Sequence, residues 1–127
     1  VDDLIAFLHA RLDEDEQAAR DVPWDRNTQW WTESSPCRWG EPIVHTVWGH
    51  GGPIAVMHED ASGSDDHIVR HDPARVLRGV EAKRRMVAEF DEALKAGHDS
   101  YDLASVIAPM MAEEWSTHPD YREEWRL

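Results

Sequence analysis

"PIVHTVWGHGGPIAVMHE", residues 42–59, decides the fold class. Two runs rich in β-branched and aromatic side chains, 42–48 and 53–59, flank Gly49-His50-Gly51-Gly52. Such runs suit a pleated, half-buried surface, and glycine supplies positive φ without steric cost, so the stretch predicts a β-hairpin with a tight turn. Upstream, "NTQWWTES" (27–34) has the same character and is set apart by "SPCRWGE" (35–41). The expectation is a three-stranded antiparallel meander with one face covered by helices. Strand alternation sends Trp30 and Trp31 to opposite faces, so one of the pair is expected to be exposed, as a small aromatic contact surface.

Helical periodicity brackets this segment. In residues 2–21, Leu4, Ile5, Leu8, Leu12 and Ala19 fall on one stripe, with Phe7 beside it and Asp15 as a polar blemish near it. Val22-Pro23 ends that helix, because the residue before proline is pushed out of the α region. A short helix is expected after "ASGSDD" (61–66), capped by Asp65 or Asp66. A long one follows from Pro73 to Ala96 and stops at Gly97. Along it Val76, Val80, Lys83, Val87, Phe90 and Leu94 alternate in steps of four and three, with Lys83 as the flaw. Asp99 or Ser100 caps a further helix carrying Leu103, Ala104, Ile107, Ala108, Met111 and Trp115, which Pro109 should kink. The short "GHDS" link makes these last two an antiparallel hairpin, and "THPDYREEW" adds a short terminal helix. The order α-β-β-β-α-α is that of an α+β protein, read as a single domain over residues 1–127.

Charge narrows the partners. Asp and Glu number 26 against 13 Lys and Arg, a formal −13 that repels phosphate backbones and disfavours direct nucleic-acid binding. The bases cluster. Arg70, Arg75, Arg78, Lys83, Arg84 and Arg85 face only Asp72 and Glu81 in that span, a local +4 that leaves −17 elsewhere. Such a segment either pairs with the protein's own acids or serves as a docking stripe. No apolar run approaches the ~20 residues of a membrane span. The acidic N-terminal helix lacks the basic region and cleavage site of a secretion signal, and lone Cys37 offers no internal disulfide. A cytoplasmic protein is expected.

The chemistry turns on "DDHIVRHDPARVL", 65–77. His67 and His71, at i and i+4, share a helical face and can offer two imidazoles to one metal, with Asp72 as a third ligand. Against this, Asp72-Pro73 is a complete helix start. The carboxylate accepts from first-turn N–H groups, and proline occupies the position where a missing donor costs nothing. One local mechanism accounts for both residues, so capping is the preferred reading and no metal or other cofactor is assigned. Cys37 has no partnered base, and "GHGG" leads into a strand where a phosphate loop would lead into a helix.

"DDLIAFLHARLDEDEQAAR", "HIVRHDPARVLRGVEAKRRMV" and "HPDYREEW" together resemble a group of small actinobacterial and actinophage proteins known only as a domain of unknown function. Where members of that group show Gly-Pro-Trp before a glycine-rich segment, this chain has "DVPWDRNTQWW". The resemblance implies a phage- or mobile-element-related accessory protein and no catalytic residue, cofactor or substrate. The leading expectation is a non-enzymatic protein-interaction module, with a protein partner or a homodimer, acting through Arg75, Arg78, Lys83, Arg84, Arg85, Trp30 and Trp31. An acidic DNA mimic or anti-nuclease protein is one alternative, and a metal-dependent hydrolase using His67 and His71 is the other.

Overall fold

The computed structural model describes residues 1–22, 29–36, 43–58, 63–97 and 101–127. The chain runs α1 (Asp2–Arg20), β1 (Trp31–Pro36), β2 (Ile43–Gly49), β3 (Gly52–His58), α2 (Ser64–Arg70) and α3 (Pro73–Lys95). A π-helical turn (Leu103–Ile107), α4 (Ala108–Ala112) and two 3-10 turns (Glu113–Trp115 and Glu123–Trp125) complete it. This is the expected α+β order. The Pro23 break, Cys37 and the Asp99 or Ser100 cap lie outside the described residues. The chain divides into two compact units, one of residues 16–78 and one of residues 1–15 with 79–127.

In the unit of residues 16–78, the sheet is a meander in the order β1-β2-β3, antiparallel throughout. The hairpin turns over His50 and Gly51, and Gly52 takes φ +133°, a conformation that a side chain would oppose. Register sorts the two faces, since directly paired residues share one. Thr32, Val47 and Ala55 pair across one face, as do Ser34, His45 and Met57, and α2 packs on that side. Val47 is fully buried there. Trp31 with Trp48, Glu33 with Thr46 and Val56, and Ser35 with Val44 form the other face. The register between β2 and β3 steps from Val47–Ala55 to Trp48–Pro53, which leaves Ile54 as the extra residue of a bulge.

Two boundaries differ from expectation. β1 starts at Trp31, inside the apolar run, and the backbone N–H of Trp30 just before it is spent on the Asp72 side chain. α2 starts on Gly63 in a left-handed conformation, φ +95°, with no side-chain cap. Asp65 sits inside the first turn and is buried, so it is available to the sheet rather than to the helix end.

The second unit is built on α1. Leu4, Ile5, Phe7, Leu8 and Leu12 are buried, so the apolar stripe is wider than its strict periodicity because Phe7 belongs to it. Arg11 is also buried, at 5% exposure. Its guanidinium donates to the ring of His118 and pairs with Glu14 at 3.0 Å and Asp120 at 3.5 Å. It also lies 5.2 Å from the centroid of Phe7. Phe7 in turn meets His118, Tyr121 and Trp125 at ring-centroid distances of 6.1, 6.0 and 5.0 Å. The C-terminal turns are thus held by an aromatic cluster and a charged one, both rooted on α1. Lys83 of α3 pairs with Glu114, nearly equidistant from residues 98–100, as in an antiparallel helix pair.

Pro109 reshapes the segment around it. Without an N–H it cannot serve the preceding turn, and the chain widens into a π turn whose last bond runs from the Ala108 N–H to the Leu103 carbonyl. That turn holds one residue more than an α turn, which rotates the downstream residues by about 100°. Ala108 is buried as expected and Pro109 and Ala112 are buried with it, while Ile107, expected inside, is 41% exposed.

The two flaws in the helical stripes meet at one residue. Asp15 accepts a hydrogen bond from the Trp115 side chain, and the Lys83 ammonium lies 5.0 Å from the centroid of the same ring. Burial raises the Asp15 carboxyl above its ordinary value, with Glu114 and Glu14 pushing the same way and the Trp115 bond and Lys83 opposing. A raised carboxylate pKa favours folding while the group is protonated and loses that contribution as pH climbs through the folded value. Asp15→Asn keeps an acceptor for Trp115 without the charge. It should melt higher than the parent at pH 7, with the difference vanishing below the ordinary carboxyl pKa of about 3.9, as thermal scans across pH would show.

Candidate functional site

The residues expected to carry function fall into three groups in the structure. Asp72 is 4% exposed and its two oxygens face in different directions. Oδ1 accepts the Arg75 N–H at 2.8 Å, the first-turn bond of a helix cap, and Oδ2 accepts the Trp30 N–H at 3.2 Å. The Asp72 carbonyl takes the Val76 N–H at 3.0 Å. One residue thus opens α3 and fixes the approach to β1. His67 and His71 do share a face, with ring centroids 4.4 Å apart, but the rings are tilted by only 38° and lie alongside each other. His71 donates its Nδ1–H to the His67 carbonyl at 2.7 Å. Both imidazoles are exposed and the Asp72 oxygens are turned to backbone amides. Among the described residues, no group of three or more His, Cys, Asp or Glu side chains is placed to hold a metal ion.

The basic segment divides. Lys83 pairs with Glu114, Arg84 with Asp13 at 2.6 Å, and Arg85 with Glu81 at 3.1 Å along its own helix. Arg75 and Arg78 are exposed, and no ion pair joins either guanidinium to a described carboxylate. Of the tryptophan pair, Trp31 is 42% exposed beside its cross-strand neighbour Trp48, while Trp30 is half-buried just before the strand.

A fourth group was not singled out from the sequence. Thr32 Oγ1 donates to Asp65 Oδ2 at 2.5 Å, and Ser34 Oγ lies 2.9 Å from His45 Nδ1, which is itself 3.7 Å from that same Asp65 oxygen. Serine, histidine and aspartate are the types of a nucleophilic triad, yet the arrangement cannot relay a proton. A triad needs serine and carboxylate on opposite ring nitrogens, and here both converge on Nδ1. The cluster instead ties the first turn of α2 to the sheet. The Thr32 bond is the main reason that Asp65 lies below the ordinary carboxylate value, with the Asp66 N–H and His45 adding to it against desolvation. The legible signal was Thr32 and Ser34 at period two on one strand face. Asp65, the partner of Thr32, lay 33 residues away, beyond any local pattern.

The sheet face turned away from α2 is the remaining feature. Trp31, Trp48, Val44, Thr46 and Val56 share it, and Val56 is 62% and bulged Ile54 41% exposed. Glu33 is its one acid among the described residues.

These contacts set two expected outcomes. Asp72→Ala strands two amides and should lower the unfolding free energy by about 1–2 kcal/mol in urea titrations, whereas His67→Ala should stay within about 0.5 kcal/mol. Asp65, with its lowered pKa, stabilises the fold fully above the ordinary carboxyl value of about 3.9 and loses that contribution as pH falls through the folded value. Thr32→Val should flatten this acid limb of the stability curve, which chemical unfolding at several pH values would reveal.

No curated protein and no solved structure matches the chain. The family described as a family of unknown function, DUF6221, matches it over residues 1–127, and the chain belongs to that family.

Proposed function

We propose that the protein is a non-enzymatic interaction module that binds a protein partner through the outward face of its sheet. The observation that carries this reading is the exposure of Trp31, Ile54 and Val56 beside Trp48 on one surface. Contiguous exposed apolar area of this kind, with aromatic anchors, is what protein interfaces are made from. The formal charge of −13 selects a partner of basic character, steered by the net negative field of the chain and seated on the apolar centre of that face. A cytoplasmic accessory role linked to phages or mobile elements fits the three sequence motifs. No described helix is long and apolar enough to cross a membrane.

The geometry favours this module over the two alternatives. A DNA mimic needs free, phosphate-spaced acids, but in the 113–124 cluster Glu114, Asp120 and Glu124 pair with Lys83, Arg11 and Arg122, and the 13–16 cluster is likewise engaged within the chain. Asp13 pairs with Arg84, Glu14 with Arg11, and Glu16 with Arg20, while Asp15 meets Trp115. A metal hydrolase would have to work with two exposed imidazoles, one of them already bonded to the backbone. Among the basic candidates, Lys83, Arg84 and Arg85 are occupied by Glu114, Asp13 and Glu81, while Arg75 and Arg78 are exposed on α3 and take no part in binding a basic partner.

Trp31→Ala and Val56→Glu test the reading. Both positions are exposed, so melting should be nearly unchanged, while affinity for a basic protein retained by the parent chain should fall by about tenfold or more in calorimetric titration. Undiminished affinity in both variants would refute the assignment of this face.

A further inference from the structure

We infer that the outward face of the sheet is a socket for an arginine side chain of the protein partner, with Trp31 and Trp48 receiving the guanidinium and Glu33 pairing with it, an assignment that rests on the partner-binding reading of this face and names the chemistry it selects.

The pairing register builds the socket. Trp31 of β1 stands directly opposite Trp48 of β2, and Glu33, two residues further on, shares their face opposite Thr46. Two residues along a strand span about 7 Å, so the carboxylate is within reach of a cation seated on the rings. Trp31 and Glu33 are exposed and Trp48 is half-buried. Among the described residues, the two indoles do not stack on one another, no cation sits over either, and no Lys or Arg pairs with Glu33.

The other unit shows what such a place holds. At Trp115 the Lys83 ammonium lies 5.0 Å from the ring centroid and pairs with Glu114. At Trp125 the Arg122 guanidinium lies 5.4 Å from the centroid and pairs with Asp3 at 2.8 Å and Glu124 at 3.6 Å. In both places one cation is shared by an indole and a carboxylate. The sheet face supplies two indoles and a carboxylate without the cation, so the partner brings it. The formal charge of −13 draws a basic partner toward that encounter. Arginine fits better than lysine. Its planar guanidinium stacks on an indole while its edge N–H groups reach a carboxylate, whereas an ammonium is a compact, strongly hydrated charge.

Three capped pentapeptides, titrated into the full chain and followed by the indole N–H resonances of Trp31 and Trp48, test the socket. One is valine-glycine-arginine-glycine-valine; the others replace arginine with lysine or with citrulline, its uncharged isostere. The arginine peptide should shift both resonances saturably with Kd below about 10 mM. The lysine peptide should bind about threefold and the citrulline peptide about tenfold more weakly. Glu33→Gln should weaken the arginine peptide about threefold without changing the melting temperature. Lysine or citrulline binding as tightly as arginine would overturn the inference, as would an arginine affinity indifferent to Glu33→Gln or no saturable shift below about 10 mM. If the peptides bind equally and Trp31→Ala weakens them all, the face remains a docking surface and only the arginine socket falls. Binding that leaves both indole resonances unmoved would refute the face as well.

Discussion

A carboxylate removed from water must be met by donors or it destabilises the fold, and Asp72 is met by two backbone amides that belong to different elements. The Arg75 N–H is one of the orphan donors at the start of α3, and the Trp30 N–H is the last before β1. Both would otherwise need water in a place where Asp72, Pro73 and Ala74 are buried. The bond to Trp30 also explains why the strand begins one residue later, at Trp31, and so fixes which tryptophan faces outward. Register in a sheet is all or nothing, since a slip of one residue exchanges the faces. A single aspartate thus settles both the helix start and the identity of the exposed surface.

Much of the architecture was legible because its signals are local. The glycine turn between two β-branched runs, the Asp-Pro helix start and the Gly97 stop each act within a few residues. The features that the sequence concealed depend on distance. Asp65 read as a helix cap because aspartate before a helix usually is one, yet Thr32 claims it from across the sheet. Ile107 read as core because its spacing was extrapolated through Pro109 at a constant 3.6-residue pitch, which the π turn does not keep. Arg11 offered no clue to its burial, since its acidic and aromatic partners arrive more than a hundred residues later in the case of His118 and Asp120. Of the functional surface, the Trp30–Trp31 alternation was readable. The joining of Trp31 to Trp48 and of Thr46 to Val56 required the pairing register.

Departures from apolar periodicity proved informative in pairs. Asp15 spoils the stripe of α1 and Lys83 that of α3, and Trp115 answers both with its indole N–H and its ring face. Tryptophan suits that task because it offers one donor on an otherwise apolar body. Each polar residue alone would weaken its helix packing. Together they prescribe which helix faces meet, as a purely aliphatic seam would not.

The widened turn at Leu103–Ile107 bears on how this segment tolerates change in length. It holds one more residue than an α-helix of the same pitch has room for, so the surplus is already accommodated in the backbone. Removing a single residue there would let the remainder close into ordinary pitch without moving Ala108 or Ala112 from their buried places. In most helices a one-residue deletion swings every later side chain to a new azimuth. Here it would be absorbed, which makes this short tract, among the described helices, the place where length itself is negotiable.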